Sequence, residues 1–320
     1  QRFEDGSILA SCRGGLLLLT GEGEECREKV FADQLSYEAV PLDASRPDGH
    51  REILVAHGTS LALYRDWEPV WRYSFNEALG ASVESVRIVH LFPCGDRIIV
   101  GAVDYDSGVG RVISLAKDGK PRWLSEPGPV SEVFPAGDDR FVWCLTGYGK
   151  FETHATTTDG QTLWSLDGAG LGAKKPGGSL VLITGSNESP DWDHWECRQI
   201  DADGKVEFAR RARGRAPVRP YCHEDGAIYF VNYVLHIDPA SSRVDYTSFF
   251  AMPQELRYQH LIGLRKQIPE YEVLVQKVRQ DRDEVEVLHR IQGSYSLTEP
   301  FVIGDEVIFC DGPDIVAIGR

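Results

Sequence analysis

Residues 113–123 read ISLAKDGKPRW, and this eleven-residue stretch decides the fold. An apolar run ends at Leu115, the pair Asp118-Gly119 supplies the positive-φ residue of a tight hairpin, and a second run closes on Trp123. The same frame recurs as HATTTDGQTLW (154–164) and RQIDADGKVEF (198–208), each with glycine at the seventh place and an aromatic at the eleventh. A looser copy, LHIDPASSRVDY (235–246), keeps Asp238 and a final aromatic but carries one extra residue. LALYRDWEPVW (61–71) keeps only the length and the tryptophan.

Before each hairpin stands a short run rich in β-branched and aromatic residues: Ile53–Ala56, Arg97–Val100, Phe141–Leu145, Leu180–Thr184, Ile228–Asn232, Val273–Val278 and Val307–Cys310. Ile8–Cys12 resembles them. Neighbouring runs are mostly about 45 residues apart, inside the ~40–50-residue window of propeller blades. A further run often precedes them, as at Arg87–Leu91, Ser131–Phe134 and Leu261–Leu264, which makes four strands per unit. The expected fold is therefore all-β: a β-propeller of seven or eight four-stranded blades, eight preferred, formed by residues 1–320 as a single domain. The two termini share or complete one blade, which removes exposed edge strands.

Composition agrees. The chain has 320 residues, 42% of them hydrophobic, enough for a large core, and its 32 glycines and 17 prolines are spread along turns rather than gathered in a linker. Apolar residues at helical spacing are scarce; the best candidate, 254–265, is interrupted by polar residues on every face, so little helix is expected. A net charge of −15 argues against general nucleic-acid binding and is compatible with a basic partner. No apolar stretch is long enough for a membrane span. The seven cysteines show neither CxxC nor metal-ligand spacing and read as reduced, which points to the cytoplasm, or to the periplasm or exterior if a signal peptide preceded Gln1.

The aspartate-glycine hairpins closed by tryptophan resemble degenerate repeats of the quinoprotein-like propellers, over about half of the units. The resemblance implies that Trp71, Trp123, Trp164, Phe208 and Tyr246 pack between adjacent blades. It does not extend to the quinoprotein enzymes: the vicinal cysteine pair of some of them is missing and the chain is far shorter, so no quinone or calcium site is carried over and no cofactor is expected.

Two segments break the repeat, and loops on a rigid scaffold are where binding residues collect. The first, GSNESPDWDHW (185–195), places Asp191, Trp192, Asp193, His194 and Trp195 together ahead of Glu196. It lacks the glycine and distal glutamate of a calcium loop and a second histidine at zinc spacing, so no metal site is expected. Its tryptophans suit partner anchoring, or else Trp195 begins the next strand and is core. The second, ARRARGRAPVR (209–219), carries Arg210, Arg211, Arg213, Arg215 and Arg219 and reads either as a solvated inter-blade connection or as a site for carboxylate or phosphate. Blade topology puts both segments on one face with the loop DYDSGVG (104–110), which adds Asp104 and Tyr105 to the candidate surface.

No nucleophile elbow, phosphate loop or HExxH occurs. His57, His90, His154, His223 and His260 stand singly and read as core or turn residues. The expected function is that of a non-catalytic scaffold binding a protein or other macromolecular partner through one face. The alternative is a carbohydrate-active hydrolase or lyase, or a quinoprotein-like enzyme, with its site in the central channel.

Overall fold

A computed structural model describes residues 8–12, 15–19, 25–30, 37–43, 52–80, 86–147, 150–168, 170–175, 178–185, 194–213, 220–235, 271–293, 300–304, 306–311 and 314–319. The chain divides into two compact units, Gln1–Gly170 and Leu171–Arg320. Apart from one helical turn, α1 (Asn76–Leu79), the described residues with regular structure form strands.

The first unit holds four antiparallel meanders in chain order. They are β1 (Ile8–Cys12), β2 (Gly15–Leu19) and β3 (Glu25–Val30); β4 (Tyr37–Asp43), β5 (Glu52–His57), β6 (Ser60–Arg65) and β7 (Glu68–Ser74); β8 (Val86–Cys94), β9 (Arg97–Asp104), β10 (Gly110–Ala116) and β11 (Pro121–Leu124); and β12 (Val130–Pro135), β13 (Arg140–Gly147), β14 (Lys150–Thr157) and β15 (Thr162–Asp167). The second unit holds β16 (Gly170–Lys174), β17 (Leu180–Gly185), β18 (His194–Ile200) and β19 (Val206–Arg213); β20 (Tyr221–Cys222), β21 (Ile228–Leu235), β22 (Tyr271–Val278) and β23 (Glu286–Gly293); and β24 (Phe301–Ile303), β25 (Glu306–Asp311) and β26 (Asp314–Gly319).

From the sheet that begins with β4 to the one that begins with β12, and within the second unit, successive sheets pack face to face, and side-chain alternation decides which neighbour each residue meets. Along β9, Ile98, Val100 and Ala102 join a cluster with Leu54, Leu61 and Tyr73 of the preceding sheet. Ile99 and Val103 point the other way, into a cluster with Val133, Phe141 and Trp143 of the following sheet. Gly101 keeps that second contact close, because a Cβ there would lie 2.7 Å from Val133 Cγ2. In the second unit Ile228 and Phe230 face β17–β19, while Tyr229 and Val231 face β24–β26. Burial on both faces explains why the central strands read as continuous apolar runs rather than as alternating ones. The first strands β1, β4, β8 and β12 of the four consecutive sheets in the first unit also touch one another. There, Glu38 Oε1 on β4 accepts the Leu91 amide of β8 at 3.1 Å.

The three repeats with aspartate-glycine fold alike. Gly119, Gly160 and Gly204 have φ of 81°, 92° and 86°, and each turn joins the third and fourth strands of its sheet. The degenerate copy at 61–71 makes the same hairpin with Asp66 and Trp67 at φ 50° and 72°. Trp67 is buried there against Ile53, Val55, Ala62 and Tyr64.

One expected unit boundary is corrected. The runs Ile228–Asn232 and Val273–Val278, read from sequence as two successive units, lie side by side in one sheet, with Leu235 opposite Tyr271 and Ile228 opposite Val278. Counting them separately is what raised the expected blade number to eight. The described residues hold seven sheets, five of four strands and two of three. The copy at 235–246 and the helical candidate at 254–265 lie, beyond Leu235, outside the described residues.

Candidate functional site

In the second unit both sequence breaks grow from one end of a strand pair. β18 and β19 are antiparallel, with His194 opposite Arg213, Trp195 opposite Ala212 and Glu196 opposite Arg211. His194, in the first break, and Arg213, in the second, therefore lie at the same end of the sheet. Trp192, Asp193 and Arg215, with Asp191 and Arg219, lie outside the described residues, and His194 and Arg213 are described by their backbone alone.

The arginine segment is not a connection up to Arg213: Ala209–Arg213 completes β19. Arg210 is drawn into the structure. Its guanidinium lies 5.3 Å from the centre of the Phe208 ring. It donates to the Arg282 carbonyl at 2.9 Å and to Asp283 Oδ1 at 3.2 Å on the turn between β22 and β23. Arg211 is exposed, and Glu196 opposite it already accepts from Arg198 Nε at 2.8 Å. Trp195, the second residue of β18, is half-buried and packs on the core cluster of Ile183, Cys197 and Phe208.

In the first unit the 104–110 loop joins β9 to β10, the second and third strands of their sheet, and is held from inside. Asp104 Oδ2 accepts the Ser107 hydroxyl at 2.6 Å and Asp104 Oδ1 the Asp106 amide at 3.2 Å. The backbone closes it with Gly108 N to Asp104 O and Asp104 N to Val109 O, both 2.9 Å, and Gly110 and Gly128 bond reciprocally at 2.7 and 3.0 Å. The Ser107 hydroxyl, followed by the Asp106 amide, holds the Asp104 carboxyl below its ordinary pKa. This tied loop presents Tyr105 with 71% of its surface exposed, next to the exposed Val109. An aromatic held out by a pre-ordered loop loses little conformational entropy when a partner covers it.

The other titratable groups are dispersed. His57 occupies the turn from β5 to β6, its pKa lowered first by burial and then by Arg72. His90 Nδ1 is 3.3 Å from Glu38, and His223 Nδ1 is 2.9 Å from Asp225 in its own turn. No group of three or more ligating side chains converges among the described residues.

His154 is the residue that sequence reasoning missed. Its Nδ1 is 2.8 Å from Ser165 Oγ and its Nε2 is 3.2 Å from Glu152 Oε2. The ring stacks on Trp143 with centroids 4.5 Å apart and planes at 30°. A signal existed. Glu152 and His154 stand two apart on one strand, hence on one face, and the Asp159-Gly160 turn brings Ser165 directly opposite His154.

No family model matches the sequence, and no curated protein matches it. The solved structures that the chain resembles are β-propeller proteins, and the likeness is one of fold. Hydrazine synthase from Kuenenia stuttgartiensis aligns with a TM-score of 0.52 at 12% identity, over 81% of this chain and 70% of that one. A eukaryotic initiation factor aligns with a TM-score of 0.53 at 11% identity, over 91% and 66%. A candidate 6-phosphogluconolactonase from Bacteroides fragilis aligns with a TM-score of 0.50 at 9% identity, over 99% and 91%.

Proposed function

We propose that the seven sheets are the blades of one propeller domain spanning residues 1–320, built on quinoprotein-like repeats, and that it is a scaffold binding a protein partner through loops on one face: those between second and third strands and the segment that follows β19. The exposed Tyr105 on its internally bonded loop carries this reading. Trp192, Asp193 and His194, together with Arg211, Arg213 and Arg215, extend the contact surface. The net charge of −15 favours a basic partner over nucleic acid, and the arginines supply a place for a carboxylate or phosphate that the partner presents. The free thiols of Cys144, Cys197 and Cys222 support a reducing compartment such as the cytoplasm. Among the described residues no helix is long and apolar enough to cross a membrane.

The test is a photo-crosslinking amino acid at position 105 of the full chain, incubated with extract of the source cells, with position 118 on an outer hairpin as control. One protein captured at 105 and not at 118 is expected. Its affinity should fall at least ~10-fold on Tyr105→Ala and further on Trp192→Ala with Arg213→Ala. A captured protein whose affinity is unchanged by all three replacements, or equal capture at both positions, defeats the reading.

A further inference from the structure

The chain Glu152–His154–Ser165 lies on one face of the β14–β15 hairpin, and its chemistry is separate from that of the loops assigned to partner binding. A carboxylate only accepts hydrogen bonds, so the bond between Glu152 Oε2 and His154 Nε2 requires the proton on Nε2. In the neutral imidazole Nδ1 then carries the lone pair, and it faces the Ser165 hydroxyl at 2.8 Å. The direction of both bonds is thereby set: Ser165 donates to His154, and His154 donates to Glu152. The ring cannot easily turn out of this line. It stacks on Trp143, whose indole N–H is itself tied to Thr156 Oγ1 at 2.9 Å within the buried cluster between two sheets. Ser165 is exposed, and Leu163, two residues before it, offers an apolar surface beside it.

We propose that Ser165 is a base-activated nucleophile, with His154 as general base and Glu152 as the positioning residue, reacting with small activated carboxylic esters. Ser165 Oγ bonds to the acyl carbon and its proton moves to His154 Nδ1. The bond from that carbon to the leaving oxygen breaks, and the alcohol departs with the proton from His154. Water then attacks the acyl-serine by the same route, giving the acid and restoring Ser165 and His154. No oxidant or further reactant is needed. The three groups meet the geometric requirement for such chemistry, nucleophile to base and base to orienter each within hydrogen-bond reach.

The test uses an alkyl fluorophosphonate on the full chain, in which the Ser165 Oγ–P bond forms as P–F breaks. Mass spectrometry should locate the adduct on Ser165, and Ser165→Ala should abolish it. His154→Gln should slow labelling at least ~100-fold, and Glu152→Gln about 10-fold or more. Near-ultraviolet circular dichroism of each variant separates loss of fold from loss of reactivity. An unlabelled Ser165 in the folded wild-type chain, or equal rates in wild type and the folded Glu152→Gln variant, would reduce the array to a structural cross-strand bond and overturn the proposal. Every one of these outcomes leaves the capture experiment at Tyr105 unaffected.

Discussion

Trp123, the aromatic that closes one hairpin, lies on the turn glycine of the next sheet's hairpin: a Cβ added at Gly160 would sit 2.0 Å from Trp123 Cδ1. One sheet earlier the arrangement repeats. Trp71 covers Gly119, where a Cβ would fall 2.7 Å from its ring, and its indole N–H donates to the Lys117 carbonyl at 2.8 Å. The glycine thus serves both its own turn, through positive φ, and the contact between sheets, through the missing side chain.

Gly160→Ala is accordingly expected to destabilise the chain by about 2–4 kcal/mol, combining backbone strain at positive φ with overpacking against Trp123. Trp123→Ala should cost a similar amount, since the ring also meets Phe141 and Trp143. The double variant should lose less than the sum, because with the ring gone only the backbone strain remains. Denaturant unfolding of the four proteins measures this, and strict additivity would disprove the contact.

Trp67 replaces that glycine in the degenerate hairpin and turns the local rule around. Trp67→Gly should relax about 1 kcal/mol of strain at φ 72° yet lose the burial of a ring that is 6% exposed, a net destabilisation of about 2 kcal/mol. A stabilised variant would show that strain, not burial, dominates at this turn.

The Asp104 loop should respond to acid. A carboxyl whose pKa is lowered on folding contributes stability above its unfolded value, and that contribution disappears as pH falls through the folded value. The amides of Asp106 and Gly108 should therefore shift only below the usual carboxylate range, and Ser107→Ala should move the transition upward toward the ordinary value. Amide chemical shifts against pH provide the measurement.

Arg210→Ala should cost about 1–2 kcal/mol, through the lost stacking on Phe208 and the vacated carbonyl of Arg282. Arg210→Lys should recover less than half of it, since an ammonium cannot serve the carbonyl and Asp283 in the same fork. Full recovery would assign the effect to charge alone.

From its sequence alone the chain determined the hairpins and the strand runs, because turn chemistry and side-chain alternation act over a few residues; the contacts of Trp71 and Trp123 with the neighbouring hairpin were implied only by the resemblance to quinoprotein-like repeats. Asp118-Gly119 and Asp159-Gly160 carry enough local information to be read without coordinates. What only tertiary structure decided involves pairs far apart in the chain. That β21 lies beside β22 across residues 236–270 has no local mark, since strand pairing over such a separation is set by the burial of both faces rather than by any turn. Arg210, legible as a loop cation, was absorbed by a ring two residues away and a turn in the next sheet. His154, legible only as a solitary histidine, acquired Ser165 and Glu152 because register, a property of two strands at once, placed them on one face.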